Sequence, residues 1–328
     1  MSAPGTTEQA AARAAGSPPP APRVQRPPAA GGRPRQPRGG TRAGRRGSAP
    51  GREATFAGRA TVTALLGLSA VYFLFPLWWL LVSATKPFGA QFSGSGLWFD
   101  GFDPWGNLVR LGSQDGGIFW RWMLNSLFYC GVGALLGTLF SALAGYALAK
   151  FDFPGRGAVF TLVLAAVLVP KVLFTLPLYL MFSGAGLIDN PLAVLLPSVV
   201  SPFGVYLARV FAVQTVPDEV LEAGRLDGAS ELRIFRSVAV RMLLPALVTI
   251  FLFQFVEIWN NYLLPAMVLG DDRLQPVTVG LVGWNASHVA VPPPLVVIGS
   301  LVSVLPLLLA FLALQRFWRA GMTAGAVK

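Results

Sequence analysis

The chain has 328 residues, of which 54% are apolar and only 12% charged, with a mean hydropathy of +0.58. That balance excludes an ordinary soluble domain and implies an integral membrane protein carrying several apolar runs near 20 residues. The formal net charge of +11 would suit a nucleic-acid partner, but the positions of the charges argue against one.

Residues 1–53 hold ten Pro, nine Gly and ten Arg, with Glu8 and Glu53 as the only acids. Such a stretch has little to bury, so residues 1–55 are expected to form a disordered basic tail solvated beside anionic lipid, not a nucleic-acid arm. It does not read as a cleavable signal, because the first apolar run begins only near Ala60 and is too long for a signal h-region. The remainder, 56–328, reads as one membrane unit.

Apolar runs predict membrane helices at about 60–83, 123–149, 157–182, 191–213, 244–268 and 295–317, an all-α bundle of six spans. With the N-terminus inside, cytoplasmic segments hold 21 Lys and Arg against four outside (Lys86, Arg110, Arg121, Arg273), with Lys171 inside a span. This bias predicts both termini in the cytoplasm. The second span carries Gly133, Gly137, Ser141 and Gly145 at four-residue spacing, a seam along which backbones can approach, either within the chain or against a second subunit. Cys130, the single cysteine, lies in the same run, and the single histidine, His288, lies in an external loop. Together they exclude a disulfide framework and argue against a Cys/His zinc site. Pro170, Pro177, Pro197 and Pro202 interrupt the third and fourth spans and are candidate hinges beside a solvated path.

Between the fourth and fifth spans lies a charged segment. Pro217, Asp218, Glu219 and Glu222 suit a helix N-terminus, with Ala223, Leu226 and Ala229 as its less polar stripe. Gly228 weakens that helix and Ser230 can cap a second one, predicting two short helices that bend at Asp227-Gly228. In the fifth span Gln254, Glu257 and Asn261 fall at i, i+3 and i+7 on one face. Intramembrane charge has a functional reading by default. Lys171 lies at the same expected depth, so Lys171 and Glu257 either pair across a polar path or act separately. Lysine occurs only at 86, 150, 171 and 328 and never follows glycine, so a phosphate-cradling Gly-Lys-Ser/Thr loop is not expected.

The segment EAGRLDGASELRIFRSVAVRMLLP at Glu222–Pro245 resembles the cytoplasmic coupling loop of ABC importer permeases, whose pattern is Glu-Ala-Ala, three residues, Gly, nine residues, then Ile-x-Leu-Pro. Glu222, Ala223 and Gly228 match, Gly224 stands for the third small residue, and Val238 and Val240 replace Ile and Leu. Arg241 departs from the pattern where proline is usual, while Pro245 matches a second proline common in sugar importers. GYALAKFDFPGR at Gly145–Arg156, WNNYLLPAMVL at Trp259–Leu269 and GMTAGAVK at Gly321–Lys328 also resemble the second permease of maltose-type carbohydrate importers, from about residue 60 onward.

The resemblance implies a type I ABC importer permease fold with its core at about 120–316 and its coupling loop at 217–245. It implies a permease subunit in a bacterial cell membrane that forms the path for a carbohydrate by alternating access. A second permease, a cytoplasmic ATPase dimer and an extracytoplasmic solute-binding protein are the implied partners. ATP and Mg would enter through the ATPase, with no cofactor on this chain and no chemistry of its own. Glu222, Ala223, Gly224, Asp227, Gly228, Ala229 and Ser230 would contact the ATPase, and the external loop Gly270–Pro294 would face the binding protein. A stand-alone secondary transporter and a permease for glycerol phosphate are the competing readings.

Overall fold

The structure, a computed structural model, describes residues 56–92, 94–287 and 291–324. The chain divides into two units, Met1–Arg59 and Ala60–Lys328. The expectations for the basic tail at 1–55 and for His288 lie outside the described residues.

The described residues are helical and include no strand. The elements are α1 (Phe56–Thr85), α2 (Pro104–Ser113), α3 (Ile118–Lys150), α4 (Arg156–Leu168), α5 (Thr175–Gly184), α6 (Leu192–Val199) and α7 (Pro202–Thr215). They continue with α8 (Asp218–Leu226), α9 (Glu231–Ile234), α10 (Val240–Trp259), α11 (Leu263–Val268), α12 (Val277–Ala286) and α13 (Pro293–Ala324). Among the described residues, five stretches are long and apolar enough to cross a bilayer, and a sixth follows if the bent pair Arg156–Leu168 and Lys171–Gly184 counts as one span.

Three expected spans are not simple rods. The third is bent by 97° rather than running through 157–182. Pro170 has no N–H to donate and pushes Val169 into an extended conformation (φ −79°, ψ 123°), so α4 stops and a 3₁₀ turn, Lys171–Phe174, restarts the chain. The fourth breaks at Val200-Ser201, where Ser201 caps α7 by accepting from the Gly204 N–H at 3.1 Å and Pro202 occupies the first helical turn. The fifth is displaced from the expected 244–268: it enters at Glu231, passes through a π-turn at Phe235–Ala239 and ends at Trp259. Pro265 explains the early stop, since in a continuous helix its ring would collide with the Asn261 carbonyl. That freed carbonyl accepts from Thr278 Oγ1 at 3.4 Å.

The glycine seam of α3 is spent inside the chain. A Cβ on Gly133 would meet Ile258 Cδ1 at 2.9 Å, and one on Gly145 would meet Ala208 Cβ at 2.5 Å and the Arg209 N at 2.7 Å. The helix α3 therefore packs backbone-close on α7 and α10 and forms the central pillar. One core joins α2, α3, α10, α12 and α13 around Phe119, Trp122, Trp259, Leu281 and Trp284. The segment 270–287 is fastened to α3 by Trp122 Nε1 donating to the Asp272 carbonyl (2.7 Å) and Tyr129 Oη donating to the Leu274 carbonyl (2.8 Å). Much of the expected external loop is thus the packed helix α12, with Trp284 buried.

Candidate functional site

The three breaks open on one place. A cleft of about 760 Å³ is lined by Val169, Lys171 and Val172 at the first break, Val200, Ser201 and Pro202 at the second, and Asn260, Asn261 and Tyr262 at the third. Irregular backbone at membrane depth is tolerated where it lines a cavity, because the exposed N–H and C=O groups need water or a ligand. The cleft wall is mostly apolar, with Ser198, Ser201, Asn260, Asn261 and Gln254 as neutral polar points.

Lys171 and Glu257 both line this cleft and form an ion pair through Nζ and Oε1. Their side chains are 62% and 47% exposed, so both face open space in the cleft. Asn261 shares the cleft but not the helix, since α10 ends at Trp259. Gln254, expected on one polar face with Glu257 and Asn261, is instead set back from the other two. It is 3% exposed and lies at the floor of the cleft, with Oε1 against Gly137 and Nε2 close to Gly204. Two glycines therefore admit the amide between α3 and α7, and neither amide atom has a hydrogen-bond partner among the described residues. Of the four residues read from sequence, three open onto the cleft and one underlies it.

At one end of the bundle, α8 and α9 form an elbow. The α8 helix closes in a Schellman motif: the Ala229 N–H donates to the Gly224 carbonyl and the Gly228 N–H to the Arg225 carbonyl, both at 3.0 Å. Gly228 sits at φ +76°, the left-handed position that motif requires, with Asp227 as the C-cap. Nothing lies within 4 Å of a Cβ placed there, so the need is conformational rather than steric. Ser230 then caps α9 by accepting from the Arg233 N–H at 3.4 Å. Gly224 lets the two helices approach, its Cβ position lying 3.2 Å from Ile234 Cγ1.

The elbow is tied down on its inner side. Leu221 and Ile234 are buried with Tyr146, Ala212, Val216, Phe235 and Leu243. Lys150 at the end of α3 donates to Asp218 Oδ1 at 2.7 Å, and this partner holds the Asp218 carboxyl below its usual range. Arg225 donates Nε to Glu231 Oε1 at 2.6 Å across the bend, and the contact raises the guanidinium pKa. Glu222, Ala223 and Leu226 face outward, with Leu226 89% exposed. Sequence reasoning passed over Leu221 and the Lys150–Asp218 and Arg225–Glu231 pairs. Leu221 had a signal, being the only leucine placed three residues after the acidic first turn begins; the long-range Lys150 pair had none.

A helix bundle whose spans break around a common cleft, with an elbow anchored at one end and exposed on its outer side, is built as the membrane subunit of a transporter. The chain belongs to the family of binding-protein-dependent transport system inner membrane components, which matches residues 137–323. It is 32% identical over 276 residues to the arabinooligosaccharides transport system permease protein AraQ of Bacillus subtilis (strain 168), covering 82% of this chain and 96% of that protein. It is 34% identical over 210 residues to the melibiose/raffinose/stachyose import permease protein MelC of the same organism, covering 62% and 75%. In three dimensions it is similar to a chain from the crystal structure of a bacterial ABC transporter involved in the import of the acidic polysaccharide alginate. The TM-score is 0.67 at 22% identity, over 79% of this chain and 96% of that one. The fold is that of an ABC importer permease, and the protein is a multi-pass membrane protein.

Proposed function

We propose that this chain is one of two permease subunits of an ATP-driven importer for a sugar or oligosaccharide. The observation that carries the reading is the convergence of three helix breaks on one cleft in a molecule that also presents an anchored elbow. The cleft offers neutral hydroxyl and amide groups beside Phe174 and Tyr262, which suits a polyhydroxylated solute. Lys171 is neutralised by Glu257, so the cleft lacks the uncompensated cation that a glycerol phosphate would use. The names of AraQ and MelC point to the same class of solute.

The elbow is the contact for a separate ATPase dimer, which brings ATP and Mg. Closure of the dimer moves α8, and the buried Leu221–Ile234 cluster passes that motion to α3, α7 and α10 as one body. The 21 to 4 asymmetry of basic residues supports an elbow, and both termini, on the cytoplasmic side, with a solute-binding protein opposite. The test is reconstitution of the chain with its second permease, ATPase and binding protein in vesicles, measuring uptake of labelled oligosaccharides and of glycerol phosphate. Sugar uptake that requires ATP is expected. Uptake by this chain alone on an ion gradient would overturn the reading.

A further inference from the structure

Between the elbow and the fifth span lies a second hollow, of about 480 Å³, lined by Ser230, Leu232, Arg233, Arg236, Ser237 and Arg241. Among the described residues, three arginines line it and no carboxylate does. The nearest acid in the chain, Glu231, is held by both Nε and Nη2 of Arg225 at 2.6 and 3.4 Å. Among the described residues, none of these three guanidiniums has an ion pair.

The arrangement depends on the π-turn. In an uninterrupted α-helix, positions five apart point about 140° away from each other, so Arg236 and Arg241 would diverge. In Phe235–Ala239 the Val240 N–H instead reaches the Phe235 carbonyl, five residues back, and the extra residue in the turn rotates position 241 back over 236. Arg241 also stands where the resembled family pattern has proline, a departure that the coupling role of the loop does not use.

Depth selects the ligand. The 20 residues Val240–Trp259 match the roughly 30 Å of a bilayer's hydrocarbon. Arg241 then lies at the hydrocarbon edge. Arg236 lies about 7 Å further out and Arg233 about 12 Å, across the polar layer that holds lipid phosphates. Leu244, 44% exposed, lies three residues deeper than Arg241 and leaves apolar surface on the hydrocarbon side of the arginines for an acyl chain. The Ser237 hydroxyl donates to the Arg233 carbonyl at 2.6 Å, so the guanidiniums and the Ser230 hydroxyl, which accepts from the Arg233 N–H, are the donors left for an anion.

We infer that Arg233, Arg236 and Arg241, aligned by the π-turn, form a binding site for the phosphate headgroup of an anionic phospholipid in the leaflet beside the elbow. The inference needs Glu231–Trp259 to enter the bilayer with Val240 near the hydrocarbon edge; because Ser230, Leu232 and Arg233 belong to the elbow, the lipid would sit beside the proposed ATPase contact.

The test is native mass spectrometry of the full-length chain, in its assembled complex, released from nanodiscs of equal parts phosphatidylglycerol and phosphatidylethanolamine. The wild type is expected to retain phosphatidylglycerol selectively, and each Arg→Gln change at 236 and 241 to lower that selectivity about fivefold. Arg241→Lys should recover most of it. Equal retention of the two lipids by the wild type overturns the proposal without relying on any variant. Displacement of the lipid by inorganic phosphate at matched concentration would assign the site to a free anion instead. Unchanged lipid retention with loss of the ATPase subunit in the Arg236→Gln/Arg241→Gln protein would assign it to an acidic protein surface. Either result removes the lipid site.

Discussion

Lys171 and Glu257 illustrate how exposure, and not contact alone, sets the energy of a charge pair. A pair sealed in low dielectric leaves about 3–5 kcal/mol of uncompensated charge when one partner is removed. A pair open to solvent couples by only about 0.2–1 kcal/mol. With side chains 62% and 47% exposed to the cleft, this pair belongs with the second kind. A double-mutant cycle of Lys171→Met and Glu257→Gln on the assembled complex, read as thermal stability, should give a coupling energy below about 1 kcal/mol. A value near 3 kcal/mol would mean that the assembled transporter dries the cleft. The Lys150–Asp218 pair makes a separate, pH-dependent prediction. Because the folded carboxyl titrates below the ordinary 3.8, the pair's contribution is present above that value and lost as pH falls through the lower folded value. The melting-temperature difference between wild type and Asp218→Asn should therefore be constant from neutral pH down to about 3.8 and shrink only below it. A difference that disappears already at neutral pH would contradict the pairing.

Helices and turns impose demands that single residues do not reveal, and the glycines separate them cleanly. At Gly228 the demand is for φ +76° in open space, so Gly228→Val should cost about 1–2 kcal/mol in the elbow while Gly228→Asn, which tolerates that region, costs less. ATPase activity that no longer drives uptake is the expected phenotype of Gly228→Val, and normal uptake by a well-inserted variant would refute it. At Gly145 the demand is for space: a Cβ would meet Ala208 and the Arg209 backbone, so Gly145→Ala should destabilise the bundle by about 1–3 kcal/mol. Gly131, in the same helix with nothing within 4 Å, should accept alanine without loss, and equal melting temperatures for the two variants would sink the distinction. The elbow was legible from sequence because its signals are local: an acidic first turn, a glycine and a serine cap within a dozen residues. The kinks were half legible. Pro170 and Pro202 announced breaks, but Pro265 acts four residues upstream of itself, so an apolar run through Val268 concealed the true end of α10. The π-turn has no proline or glycine to mark it, and Pro170 marks where the third span breaks but not its 97° angle.

For the whole molecule the consequence of three breaks around one cleft is that its walls should change access together. Each break joins a long helix to a short one: α4 to α5, α7 to α6, α10 to α11. The long members α7 and α10 are packed on α3 and share the elbow's core, whereas α5, α6 and α11 gather in a second core around Phe182 and Leu264 that reaches α3 at Tyr129. Rocking of one core against the other would open the cleft to one side and close it to the opposite side, at all three breaks at once. Single cysteines at Val172, Val200 and Tyr262, which are 57%, 66% and 42% exposed, report on the three breaks separately. The native Cys130 is 1% exposed and forms a silent background. In the reconstituted complex, a membrane-impermeant thiol reagent applied from one side should label all three positions in one nucleotide state. The same reagent should spare all three when ATP is bound without hydrolysis, and labelling from the opposite side should show the reverse. If one position reacts from both sides in a single state, or if the three respond to ATP independently, the breaks are local irregularities and not the joints of a common gate.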